Sequence, residues 1–180
     1  MGSEMCIRDR FYTEVIAPDG EVVLRPEQIK REVLDAQTAF IVTDMLKGVI
    51  KNGTGWRASQ LGRPAAGKTG TTDDYRDAWF VGFTPELICG VWVGKDDHSS
   101  LGAMETGSRA AVPIWVRFMK EALKDMPARD FEVPPGVLFV SVDENTGHLV
   151  SGKGRGSRVA LTESERSALI SEREGQFQFF

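Results

Sequence analysis

Gly67-Lys68-Thr69-Gly70-Thr71-Thr72 is the stretch on whose conformation the fold of this chain turns. Joined to its upstream neighbours, Gly62-Arg63-Pro64-Ala65-Ala66-Gly67-Lys68-Thr69 has the spacing of a phosphate-binding loop. Such a loop works only where a buried strand runs into the glycine turn and a helix leaves it, presenting free amides to phosphate. Upstream stands Trp56-Arg57-Ala58-Ser59-Gln60-Leu61, which is no buried strand, and downstream stands Gly70-Thr71-Thr72-Asp73-Asp74. Glycine costs a helix about 1 kcal/mol and paired threonines add to that. Gly82 and Pro85 close off any long helix soon after. The stretch is therefore expected to be a strand, with Lys68, Gly70 and Thr72 on one face and Thr69 and Thr71 on the other.

A strand of this composition suits a substrate that carries a carboxylate. Lysine and threonine hydroxyls supply charge-assisted hydrogen bonds. A glycine leaves room for a substrate backbone laid along an edge, and one free amide can stabilise an oxyanion. Val137 to Val142 followed by Asp143-Glu144 imitates the magnesium-holding strand of nucleotide hydrolases. Asn145-Thr146-Gly147 directly afterwards is turn chemistry and removes that support.

Working outward, Phe11 to Val23 is expected to form a short hairpin about Pro18-Asp19-Gly20. A helical region is expected from Arg25-Pro26-Glu27, leading into a helix over 37–52. That helix has Asp35 as N-cap, Asn52-Gly53 as its stop, and a wide buried face built on Leu34, Thr38, Ile41, Met45 and Val49, backed by Val42, Leu46 and Ile50. Ala78–Phe83 and Leu87–Gly94 read as an antiparallel hairpin about Thr84-Pro85-Glu86, with Cys89 a small buried residue. Pro113 opens a helix over 112–126 with Ile114, Trp115, Phe118, Met119, Ala122 and Leu123 on one side. Val137–Val142 is expected to turn back into His148-Leu149-Val150.

Composition is that of an ordinary globular domain: 180 residues, 41% hydrophobic, 27% charged, net charge −4. That charge gives no electrostatic reason to expect nucleic acid as a partner. The residues offer no metal cluster, since His98 and His148 lie far apart and Cys6 and Cys89 are the only thiols. No apolar run approaches the ~20 residues of a membrane span.

Several separated blocks then agree in order and spacing. Gly53-Thr54-Gly55, Ala66 to Thr72, Asp77 to Pro85, Gly90 to Gly94, Thr106 to Trp115 and Pro135-Gly136-Val137 resemble the transpeptidase domain of class A penicillin-binding proteins, most closely the 1A type. The resemblance runs over Phe11 to Ser151 and implies an α+β fold, an antiparallel sheet flanked by helices, as an incomplete penicillin-binding, serine β-lactamase-like transpeptidase. It implies peptidoglycan DD-transpeptidase chemistry, in which the acyl group of a D-alanyl stem peptide passes to another stem peptide's amine or to water. The implied partners are stem peptides and β-lactams, with no cofactor, in an extracytoplasmic, periplasmic setting. Membrane contact is implied only through an anchor that, with a glycosyltransferase domain, precedes this region in the family. By resemblance Lys68 sets the electrostatics of the site, the Thr69 and Thr71 hydroxyls meet the carboxylate, Gly70 permits that approach, and Thr72 is a further substrate-binding residue of the same strand. The Thr71 amide is the oxyanion donor.

The departures from the family pattern are specific. No serine here has a lysine three residues on, so Ser-x-x-Lys is absent, and so is Ser-x-Asn. Acyl transfer then has no nucleophile within these residues. The chain is expected to divide into an adapter-like segment at 1–10, the C-terminal part of the transpeptidase domain at 11–126, a hairpin extension at 127–151 and a flexible tail at 152–180, with a short helix near Thr162–Arg173. A non-catalytic binding module is the alternative, and a phosphate-loop nucleotide hydrolase a more distant one.

Overall fold

The computed structural model describes residues 5–8, 12–25, 30–150 and 156–176. Its centre is a three-stranded antiparallel sheet in the order β5 (Ala66–Thr71), β6 (Asp77–Phe83), β7 (Ile88–Gly94). The pairing is continuous, from Ala66 opposite Phe83 to Thr71 opposite Ala78, and from Asp77 opposite Gly94 to Phe83 opposite Ile88. The β6–β7 turn closes through Thr84, whose N–H donates to the Leu87 carbonyl while its hydroxyl accepts from Glu86 and Leu87.

One face of the sheet is covered. Ala78, Phe80 and Gly82 of β6 alternate inward, under α2 (Val112–Ala122), which Pro113 opens. Trp115 is fully buried, stacks edge-on to Phe80 with centroids 5.1 Å apart, and donates its indole N–H to the carbonyls of Gly82 and Cys89. Gly82 is required by that packing, because a Cβ there would lie 2.8 Å from the Trp115 ring.

α1 (Ala36–Lys51) lies where its pattern places it, with the Asp35 carboxylate accepting from the Thr38 N–H and hydroxyl and Asn52 closing the other end. Those bonds hold the Asp35 carboxyl below its ordinary range. The wide buried face needs correction. Ile41 and Ile50 are buried, but Met45 and Val42 are exposed, so the helix buries a narrower stripe. α1 also faces a second cluster, in which Phe40 and Ile41 meet Val137 and Ala160. These come from β8 (Val137–Val142) and β9 (Ser157–Thr162), paired antiparallel.

Further expectations change here. Residues 5–8, set aside as adapter-like, form β1 (Met5–Arg8), paired with β4 (Lys30–Leu34) where a helical region was expected. Pro26 and Glu27 lie outside the described residues. The hairpin about Pro18-Asp19-Gly20 is present as β2 (Val15–Ile16) and β3 (Val22–Leu24), while Phe11 lies outside the described residues. β8 does meet the expected return segment, through the Val142–Leu149 bridge and the Val150 N–H on the Ser141 carbonyl, but takes β9 as its main partner. The tail expectation is thereby corrected at β9, while the helix expected near Thr162–Arg173 is present. After β9, Thr162 and Glu165 form a reciprocal capping box that starts α3 (Glu163–Gln176). Finally, α2 ends at Ala122 and leaves Ile114 and Phe118 exposed, because its buried side is Val112, Trp115, Val116, Met119 and Leu123.

Candidate functional site

Local geometry first removes the phosphate-loop reading. Trp56–Leu61 is a 3-10 helix, and Gly62, at φ 77°, ends it in the left-handed conformation that glycine tolerates. Arg63 turns away to donate to the carbonyls of Leu123 and Met126. Ala65, Ala66 and Gly67 are buried, and Lys68 and Thr69 lie within β5 instead of opening a helix. No backbone cradle is left for phosphate.

β5 is an edge strand, with β6 on one side only among the described residues. The Thr72 N–H donates to the Asp77 carbonyl at 3.1 Å, so residues 72 and 77 form a hydrogen-bonded pair. Alternation along an antiparallel ladder then makes 71–78 and 69–80 non-hydrogen-bonded pairs. The N–H and C=O groups of Thr69 and Thr71 consequently point to the open edge. The Lys68 ammonium curls to that same edge and donates to the Thr69 carbonyl at 2.9 Å. One edge thus presents the Lys68 cation and, three residues on, the outward Thr71 amide.

The threonine side chains project on the other face from Lys68, as the strand period requires. The Thr69 and Thr54 hydroxyls lie 2.6 Å apart, Thr54 standing in the loop after α1. The Thr71 hydroxyl accepts the Gly107 N–H at 3.1 Å. Gly107 begins a π-helical turn, Gly107–Ala111, and sits so close to β5 and β6 that a Cβ would lie 2.3 Å from the Trp79 carbonyl oxygen and 2.8 Å from that of Gly70. Only glycine fits there. Thr72 is placed otherwise than expected: its hydroxyl accepts the Asp77 N–H and donates to the Asp77 carboxylate, closing the β5–β6 turn. At Gly70 a Cβ would meet Trp79 Cβ at 3.2 Å, so this glycine also serves its cross-strand neighbour.

The β5–β6 connection carries strain. Asp74 and Tyr75 both have positive φ, 58° and 55°, and are held by Ser100, whose hydroxyl donates to the Asp74 carbonyl, and by the Leu101 N–H on Tyr75. The segment Lys95–Gly107 therefore braces the site from both ends. A separate concavity of about 990 Å³ lies between α1, Gly62–Ala65 and β9, lined in part by Lys47, Lys51, Arg63 and Arg158; none of the β5 edge residues lines it. Among the described residues no group of three or more His, Cys, Asp or Glu could hold a metal, and no helix is long and apolar enough to cross a membrane.

Sequence reasoning placed Lys68, Thr69, Gly70 and Thr71 on one strand but gave Thr54 and Gly107 no contact with it. Their flanking signal was local, a threonine between two glycines and a glycine before a helix. Nothing in those patterns says that both pack on one strand.

Comparisons with known proteins give the family of the chain. Penicillin-binding protein 1A of Aquifex aeolicus is 45% identical over 133 residues, 74% of this chain and 18% of that protein. Its counterpart in Pseudomonas aeruginosa is 44% identical over 133 residues, 73% of this chain and 16% of that protein. The chain thus spans under a fifth of the length of these relatives. A crystal structure of penicillin-binding protein 1A from Haemophilus influenzae superposes with a TM-score of 0.74 at 25% identity, over 88% of this chain and 29% of that one. Residues 10–120 match the family model described as the penicillin-binding protein transpeptidase domain. Through those residues, which carry β5 and the Gly107 turn packed on it, this chain belongs to the penicillin-binding protein transpeptidase domain family.

Proposed function

We propose that β5 is the substrate-facing wall of a DD-transpeptidase cleft, acting on D-alanyl stem peptides of peptidoglycan at an extracytoplasmic, periplasmic site. The observation that carries this reading is the shared open edge, to which the Lys68 ammonium and the Thr71 N–H both turn. A peptide or β-lactam laid along this edge meets strand amides on its backbone and a cation near its carboxylate. The hydroxyls of Thr69 and Thr71 add two further groups for that carboxylate. The Thr71 N–H serves the oxygen that becomes negative when the acyl carbon turns tetrahedral. One such donor is worth roughly 10²–10³ in rate in comparable sites. Thr72, committed to Asp77, is a turn residue in this reading.

The wall does not supply the nucleophile. No Ser-x-x-Lys occurs in the 180 residues, so the chain by itself binds without forming an acyl-enzyme. The whole protein's cross-linking of stem peptides, and its anchorage to the membrane, rest on residues outside this sequence. Incubation with benzylpenicillin followed by intact-mass measurement tests the absence of a nucleophile: an unchanged mass is expected, and a stoichiometric penicilloyl adduct overturns it. Reversible binding tests the wall, with Lys68→Ala expected to remove carboxylate-dependent binding. An unchanged affinity in that variant would sink the assignment.

A further inference from the structure

The threonine hydroxyls of β5 each carry one hydrogen and two lone pairs, and which of these faces outward decides whether a carboxylate is attracted or repelled. At Thr71 the question is settled by the backbone. The Gly107 N–H occupies a lone pair, and among the described residues the Thr71 hydrogen has no acceptor, so it is available to donate. At Thr69 two orders are open, because a single hydrogen lies in the 2.6 Å gap to Thr54 and either oxygen can own it. If Thr69 donates to Thr54, it presents only lone pairs. If Thr54 donates to Thr69, the Thr69 hydrogen is released toward the ligand.

We propose that Thr54 is a positioning residue that primes Thr69 as a hydrogen-bond donor, so that an arriving carboxylate meets two hydroxyl donors, at Thr69 and Thr71, beside the Lys68 ammonium. The inference rests on the reading of β5 as a carboxylate-binding wall. Its mechanism is an ordering of hydrogens: the anion selects the state in which Thr54 donates inward and Thr69 outward. Gly107 plays the matching part for Thr71, through an amide that the close approach to Gly70 and Trp79 fixes in place. Thr54 is itself exposed, and among the described residues its hydroxyl meets only Thr69, so its orientation is free to follow the ligand.

The test is a titration of the full 180-residue chain with benzylpenicillin, followed by amide shifts of β5, with benzylpenicillin methyl ester as the uncharged control. Thr54→Val removes the hydroxyl and keeps the shape. It removes the neutral hydrogen bond that orders the Thr69 hydroxyl while leaving the Thr69 hydrogen itself, and is expected to weaken the carboxylate-dependent affinity by about fivefold, the usual worth of such a bond. Thr54→Ser is expected to restore it to within about twofold, since the hydroxyl returns. Affinity for the methyl ester should be the same in all three, which a merely structural role for Thr54 would not give. Should Thr54→Val fail to fold, Thr54→Ala carries the same expectation. Carboxylate-dependent binding at β5 that survives both variants at full strength overturns this proposal alone. Absence of such binding in the unaltered chain overturns the reading of the wall and this proposal with it.

Discussion

The two faces of the central sheet differ in what holds them. Inward, Ala78, Phe80 and Gly82 are sealed under Trp115, and the packing leaves no room for one more carbon. Outward, Trp79, Val81, Ile88 and Trp92 remain 43–67% exposed, and a Cβ on Gly90 would meet nothing nearer than a Val81 methyl at 3.7 Å. Yet the sequence of β6, Asp-Ala-Trp-Phe-Val-Gly-Phe, is apolar at nearly every position, the composition of a strand covered on both sides. Stability within the described residues therefore resides on one face. The proposed recognition chemistry sits at the β5 edge between the two.

Substitutions can break this comparison. The largest effect is expected for Trp115→Ala, which removes a fully buried ring and two hydrogen bonds and should cost about 3–5 kcal/mol in denaturant unfolding. A cost under 1 kcal/mol would mean that the inner face is not the stabilising one. Next come two glycines on neighbouring strands. Gly82→Ala forces a carbon into the Phe80 and Trp115 rings and should cost roughly 1–3 kcal/mol. Gly90→Ala, across the sheet on the open face, should stay within about 0.5 kcal/mol of the unaltered chain. Equal costs would erase the distinction between the faces. Ile88→Thr should likewise be near neutral for unfolding while reducing self-association measured by sedimentation, because it removes exposed apolar area and keeps a β-branched residue.

The smallest expected effect is on pH dependence, outside the sheet. The Asp35 carboxyl is held below its ordinary value of 3.8 by the Thr38 N–H and hydroxyl. A group whose folded value is depressed contributes stability above its unfolded value and loses it as pH falls through the folded one. Asp35→Asn keeps a cap that does not titrate. Its thermal midpoint should therefore fall less steeply than that of the unaltered chain as pH drops below about 4. Parallel curves would show that the cap contributes no pH-dependent stability.

Local patterns carried much of this fold. Asp35 and Asn52 marked the ends of α1, Thr84-Pro85-Glu86 the sheet turn, and Gly70-Thr71 the refusal of a helix after Lys68. What escaped was long-range. Which apolar residues of α1 and α2 face the core depends on what lies opposite, so Met45, Ile114 and Phe118 read as core and lie exposed. The partner of β8 lies beyond a glycine-rich stretch and was invisible to a local hairpin signal. At the site, the strand was legible as Lys-Thr-Gly-Thr, but the contacts of Thr54 and Gly107 with it cross 15 and 36 residues of chain.

The most direct test of the central account is a map of amide shifts across the chain as benzylpenicillin is added, with intact mass recorded on the same sample. The account requires shifts concentrated at Lys68 to Thr71 and at Gly107, weak ones at β8–β9, and no change in mass. Shifts centred on the concavity between α1 and β9, or none at β5, would contradict it.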